Sequence, residues 1–392
     1  MNRKRIRGFL LPWAVLILLL SSCRRKQQEA PHGDPGLTAT PTVVPMSAGE
    51  NIADGESNSS PTPAAVPTSA VIIPEDIVDT SKEPYTYDRM CKDLELLSAA
   101  YPGLVSVSWE GVSADGRPIP AVLFGSPEAE QTVFVQAAIH GREHLTSLLV
   151  MEQLETYARG YDTCSFNGVL YRDIFSKVAL LVVPMSNPDG VSVSQLGTGA
   201  IRSEELRTLV ESFYERDGAG VDRDYFYRRY KANANGVDLN RNFAYGWEEF
   251  NGADGPAADR YKGTAPGSEP ETQYLMELTK SRNTAASLSY HSTGSVLYWD
   301  FGQTGEIRNR CLDVVETVHE LTGYRIVSAS TDKQDEAGYC EGAVGIEEIP
   351  EVTIETGTVA APLPISEFAG IWERNREVPV AVALRVMQNI KQ

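Results

Sequence analysis

The chain has 392 residues and a formal net charge of −18, from 53 acidic against 35 basic side chains. An acidic excess of this size excludes nucleic acid and anionic membrane surfaces as the main electrostatic partners. With 42% hydrophobic residues, the length suits one large domain with a sizeable core, plus an appendage.

The appendage comes first. Arg3, Lys4, Arg5 and Arg7 precede an apolar run, Phe9 to Leu20, interrupted only by Pro12. That run is shorter than the roughly 20 residues of a membrane span and has the form of a secretory signal. It ends in Leu20-Ser21-Ser22-Cys23, which resembles the lipobox of bacterial lipoproteins. The resemblance implies a signal peptide over 1–23 and lipidation of Cys23. Two acyl chains suffice for stable anchoring, here on the outer side of the cytoplasmic membrane. Residues 24–84 are rich in Pro, Thr, Ser, Ala and Gly, with almost no aromatics. Such a stretch buries too little apolar surface to fold. It reads as a tether with a root-mean-square reach of roughly 40 Å. Folding is expected over 85–392. The remaining cysteines, Cys91, Cys164, Cys311 and Cys340, show no C-x-x-C spacing, which argues against a thiolate zinc site. An oxidising compartment permits disulfides among them; free buried thiols fit equally.

Within the folded part, Tyr85 to Ala100 predicts a helix with Met90, Leu94 and Leu97 on one face. Val105 to Trp109 and Ile119 to Phe124 predict strands joined at Asp115-Gly116. Thr132 to Ile139 reads as a buried strand and Leu145 to Ala158 as a helix. Val178 to Pro184 is a continuous apolar run of the kind found in central parallel strands. Asn187-Pro188-Asp189-Gly190 closes it with a turn signal. Ala285 to Tyr290 and Val352 to Ile354 predict strands, Ile307 to Thr322 an amphipathic helix, and Trp372 to Ile390 contains the last helix. This alternation predicts an α/β domain whose mainly parallel or mixed sheet is covered on both faces.

His140-Gly141-Arg142-Glu143 then stands at a strand-to-helix junction, where α/β proteins place their sites. One helical turn puts residues three apart on one face, so the imidazole and carboxylate can converge on one zinc ion. Of the other histidines, His32 lies in the tether and His319 within the amphipathic helix. His291 follows the strand Ser287-Leu288-Ser289-Tyr290 and is a candidate third ligand. In the run Gly236 to Phe243, Arg241 can pair bidentately with a carboxylate and Asn240 can add a donor. Asp238 can accept the second N–H of a ligand histidine. Glu355 lies in an otherwise apolar strand, where a lone charge is expensive, so it is either ion-paired or functional.

The ordered elements H-x-x-E, N-P-D-G, G-V-D-L-N-R-N, strand-end His-Ser and Thr-Ile-Glu-Thr resemble the zinc carboxypeptidases of the carboxypeptidase A type. The resemblance runs from about Tyr85 to the C-terminus. It implies a three-layer α/β/α sandwich around a mixed, about eight-stranded sheet. It further implies one zinc ion on His140, Glu143 and His291, with water in the open fourth position. Glu355 then matches the general base, Arg142 an arginine that binds or polarises substrate, and Asn240 with Arg241 the clamp on the substrate's terminal carboxylate. The implied activity is removal of C-terminal residues from peptides. A monomer is expected and, from the acidic charge, no nucleic-acid partner.

Two positions depart from the family. Where an oxyanion-stabilising arginine is expected, the chain reads Arg228-Arg229-Tyr230-Lys231; Lys231 is the first match and Arg229 the second. The capping tyrosine has no counterpart near Lys333, and Tyr339 is only nearby. His144 also completes an H-x-x-E-H pattern, in which both histidines would bind zinc. That reading needs all five residues on a helix and leaves His291 and Glu355 unused. A non-catalytic binding lipoprotein on the same scaffold is a second rival.

For substrate, Tyr290 to Gln303 and Tyr230 to Asn233 also resemble a bacterial branch that cuts cell-wall stem peptides next to diaminopimelate. The stretch Ala337 to Gly342, expected to line the specificity pocket, lacks the lysine and tryptophan of that branch. Cys340 is small and neutral there, while Asp332, Asp335, Glu336 and Glu341 make the surroundings acidic and suited to a substrate ammonium.

Overall fold

The computed structural model describes residues 74–328 and 337–390. The signal-like segment, Cys23, most of the tether, Lys333 and the acidic Asp332, Asp335 and Glu336 lie outside the described residues.

Helix α1 (Tyr87–Ala100) starts where the Thr86 hydroxyl accepts from Arg89 N and buries Met90, Leu94 and Leu97. Strands β1 (Val105–Val112) and β2 (Pro118–Phe124) form an antiparallel hairpin. Strand β3 (Gln131–Ala137) leads through a single turn, Gly141–Glu143, into α2 (Leu145–Arg159). A two-stranded ribbon of β4 (Ser165–Phe166) and β5 (Val169–Leu170) precedes α3 (Tyr171–Phe175). Strand β6 (Val178–Val183) is buried at every position, as its unbroken apolar run requires when both faces are covered.

The N-P-D-G turn is a helix start. Asn187 accepts from Gly190 N, and Pro188 opens α4 (Pro188–Leu196), where its missing N–H is harmless. Helices α5 (Glu204–Asp217), α6 (Arg223–Arg228) and α7 (Pro270–Ser281) follow. Strands β7 (Thr284–Ser292) and β8 (Val296–Asp300), helix α8 (Gly305–Thr322), strand β9 (Arg325–Ser328), helix α9 (Tyr339–Gly345) and strand β10 (Glu351–Thr356) complete the sheet. The predicted last helix is two, α10 (Phe368–Asn375) and α11 (Val378–Asn389), because Pro379 opens a new first turn.

The eight strands run in the order β1-β2-β6-β3-β7-β10-β8-β9. Strands β6, β3, β7 and β10 are mutually parallel; β2 and β8 flank them antiparallel. One face packs Val133, Val135, Leu288, Tyr290, Val352 and Ile354 against α2, α8 and α11. The other packs Phe134 and Leu181 against Leu275 of α7 and Tyr339, Cys340 and Ala343 of α9. This is the expected α/β/α sandwich. Packing begins upstream of Tyr85: Ile77 and Val78 are buried, and their N–H groups donate to the two oxygens of buried Glu155 at 2.9 and 2.7 Å. The four described cysteines are unpaired.

Candidate metal and catalytic site

The site forms at the carboxyl ends of the parallel strands, where open α/β sheets bind ligands. Beyond β3, Ala138 takes a left-handed φ of 51°, which costs roughly 1–3 kcal/mol for a residue with a side chain. Surrounding bonds fix it: Ala138 N donates to Thr146 Oγ1, and Ala138 O accepts from Asn187 N. His140 follows in extended backbone, and only Gly141–Glu143 turns helically. Gly141 lies so close to Gly190 that an added Cβ would stand under 3.0 Å from its backbone carbonyl. Gly141 N donates to Lys231 O, and Asn187 Nδ2 donates to Ile139 O, Lys231 O and Ala232 O. The glycine contact seats the H-x-x-E turn against the start of α4, and the bonds tie both to the loop before G-V-D.

His140, Glu143 and His291 are all buried, and their potential ligand atoms lie within 4.8 Å of one another. His140 Nδ1 sits 2.9 Å from Glu143 Oε1, and His291 Nδ1 sits 3.0 Å from Glu143 Oε2. Two imidazole nitrogens and one carboxylate are the donor set of a three-ligand catalytic zinc site. Zinc bonds of about 2.0–2.1 Å separate tetrahedral donors by about 3.3 Å, so the cluster matches the ion in size. His140 Nε2 is 3.3 Å from Asp238 Oδ1. A proton on Nε2 satisfies both atoms and leaves the Nδ1 lone pair to the metal. Burial opposes ionisation of Glu143, yet the flanking imidazoles hold its carboxyl below the ordinary range. Asp238 is held well below its usual value against burial, by Lys231 and then His140.

Glu355 is in direct register with His291 on the neighbouring parallel strand. Its Oε2 is buried without a hydrogen-bond partner among the described residues. Its pKa is raised to about 7, chiefly by burial and then by Glu143, against the opposing effect of His291, Lys231 and Arg142. Lys231 Nζ lies 3.4 Å from Asp238 Oδ2, inside this charge cluster. Arg229 donates to Ala361 O and stands over the Tyr225 ring, whereas Lys231 and Arg142 both act on Glu355. Arg142 is half-buried with Nε unpartnered among the described residues. Arg241 stacks over Phe250 and donates to Asn240 O. Asn240 Oδ1 accepts from Tyr339 N at 2.9 Å, which leaves its NH₂ as a donor.

Two further residues stand apart from the cluster. His144 lies outside the metal cluster, because His140 is extended and the five-residue helix of H-x-x-E-H does not form. His144 lines a cavity with Tyr85, Leu148 and Pro362, and burial pushes its pKa down to about 4. Tyr339 is a buried pillar bonded to Thr279 and Ser287, not a mobile cap. One residue at this face escaped the sequence reading: Glu351 is fully buried on β10, and neither of its oxygens meets a partner at hydrogen-bonding geometry among the described residues.

Residues 90–353 match the family model described as zinc carboxypeptidase. The chain is 30% identical over 292 residues, 74% of its length, to gamma-D-glutamyl-L-diamino acid endopeptidase 1 of Lysinibacillus sphaericus, covering 69% of that protein. It is 25% identical over 317 residues to carboxypeptidase B of Astacus astacus, covering 76% of this chain and 95% of that one. The fold superposes on thrombin activatable fibrinolysis inhibitor with a TM-score of 0.60 at 17% identity, covering 80% and 78% of the two chains. The matched span holds the His-Glu-His cluster and stops two residues short of Glu355. The chain belongs to the zinc carboxypeptidase family, and is a metallopeptidase whose cofactor is one zinc ion.

Proposed function

We propose that the chain hydrolyses the peptide bond to a carboxyl-terminal residue, with Glu355 as general base. The carrying observation is the register of Glu355 with His291, which puts an unpartnered carboxylate oxygen beside the metal ligands. Zinc on His140, Glu143 and His291 would acidify a water and polarise the scissile carbonyl. Glu355 takes a proton from that water and returns it to the leaving amine. Arg142 and Lys231 supply positive charge to the developing oxyanion; Lys231 does so as a point charge. Asn240 and Arg241 hold the terminal carboxylate and so select the bond presented to the base. Glu355→Gln is expected to retain one zinc per chain and to lose at least about 10²-fold in kcat. Full activity in that variant would overturn the assignment.

A second reading narrows the substrate to cell-wall stem peptides cut between γ-D-glutamate and a diamino acid. The 30% identity to a gamma-D-glutamyl-L-diamino acid endopeptidase favours it. Incubation with a peptide library and with muropeptides, followed by product masses, separates the two. Single residues released from ordinary peptides support the first; cleavage confined to muropeptides supports the second. The basic, apolar and lipobox-like N-terminus supports lipid anchoring at Cys23 outside the cytoplasmic membrane, within reach of the wall. Radiolabelled palmitate should enter the wild type in cells and be lost in Cys23→Ala.

A further inference from the structure

The face of β10 that carries Glu355 also carries Thr353 and Glu351, paired in register with His291, Ser289 and Ser287 of β7. Every second residue of a strand shares a face. A polar track therefore descends from the catalytic centre along both strands, through about 13 Å of strand rise, between the sheet and α9. Cys340 of α9 contacts Thr353 through Sγ and Oγ1. Beneath them lies Glu351, fully buried, with neither oxygen at hydrogen-bonding geometry to a described residue. Burying a carboxyl without good partners is unfavourable, and no cation among the described residues stands against it. Burial pushes its pKa up to about 8, with only weaker opposition from the neighbouring Cys340, Ser289 and Thr353.

The track adjoins the proposed substrate clamp. Asn240, placed on the terminal carboxylate, bonds Tyr339 N, and Cys340 is the next residue. A residue held at Asn240 therefore lies beside the start of α9, whose Cys340 contacts Thr353 above Glu351. The chain of a lysine or other diamino acid extends roughly 6 Å from Cα to its amine, and that amine brings the charge Glu351 lacks.

We propose that Glu351 is the acidic floor of the pocket for the residue on the leaving side of the scissile bond, and that it selects a side chain ending in an ammonium, whose charge it balances by ionising. The assignment rests on the carboxypeptidase-type reading above and names its substrate class. The Cys340 thiol and Thr353 hydroxyl sit over the floor, and both are small enough to turn aside. Glu341 adds negative charge nearby.

The test uses zinc-loaded protein and peptides identical except for the leaving residue: lysine, diaminopimelate, or norleucine, which matches lysine in length without the amine. For wild type, kcat/KM on lysine or diaminopimelate should exceed that on norleucine at least about 30-fold. In Glu351→Gln that ratio should fall toward 1, mainly through KM, with one zinc still bound per chain. Glu351→Asp should keep part of the preference. Because each ratio is internal to one protein, partial misfolding does not imitate the result. Equal rates on lysine and norleucine in wild type, or an unchanged ratio in Glu351→Gln, overturn the proposal. Failure of wild type on every peptide overturns the underlying peptidase reading instead. Preference for diaminopimelate over lysine identifies a wall peptide as the source of the ammonium; the reverse identifies ordinary peptides.

Discussion

At the scale of single residues, Asp238 lies beside a candidate metal ligand without belonging to the His-Glu-His cluster. It accepts from Arg260 N, faces His140 Nε2 at 3.3 Å and pairs with Lys231. Removing it frees the His140 ring to rotate and leaves Lys231 unbalanced. Asp238→Ala should weaken zinc about 10–100-fold, read by competition with a chelating dye. Unaltered affinity would show that packing alone orients the ring. The sequence displayed His140, Glu143, His291 and Asp238 because residue types that bind metal or orient ligands are few, and here occupy strand ends. Glu351 escaped notice for the opposite reason. It stands between Pro350 and the predicted strand Val352 to Ile354. Only burial separates it from an ordinary surface acid.

At the scale of elements, the sequence signalled strands by unbroken apolar runs, and β3, β6 and β7 lie close to their predicted places. Strands β8 and β9 went unread because Val296–Asp300 and Arg325–Ser328 are short and border loops. Short strands near an edge take their structure from neighbours rather than from pattern. The turn carrying His140 and Glu143 is likewise defined by a contact that no local pattern reveals, Gly141 against Gly190. Gly141→Ala would force a methyl to less than 3.0 Å from the Gly190 carbonyl. The expected loss is about 1–3 kcal/mol of stability, together with weaker zinc binding as the turn moves off the Lys231 loop. Gly199, with nothing within 4 Å of an added Cβ and no left-handed φ, is the control: Gly199→Ala should change neither. Thermal melting with zinc titration reads both, and a normal Gly141→Ala protein would show that the two loops slide freely.

At the scale of the molecule, the loop bearing Lys231 and Asp238 is held to the sheet by a buried acidic network. Arg117 bridges Asp115 and Asp189 at 2.6 and 2.7 Å. Glu271 of α7 accepts from Ala114 N, and Asn233 Nδ2 lies 3.3 Å from it. Asn233 also donates to Glu269 and accepts from Val237 N. This network joins the β1–β2 turn, the start of α4, the loop to Asp238 and α7. A single arginine does not neutralise so many carboxylates. Burial, with Asp189 adding to it, pushes the Glu271 pKa from 4.5 up to about 8. A raised acid pKa means the folded protein holds a proton that the unfolded chain releases, so stability falls as pH rises. The contribution is complete below about pH 4.5 and lost progressively toward pH 8. Glu271→Gln keeps the acceptor for Ala114 N and carries no titratable proton. Its unfolding free energy should therefore gain on wild type by a few kcal/mol between pH 4.5 and 8. Urea unfolding of the two proteins at equal zinc measures that difference, in which titration of the metal ligands and of Glu351 cancels. A flat difference would mean that Glu271 ionises in the fold as readily as in water, with Arg117 and Asn233 sufficient to hold the charge.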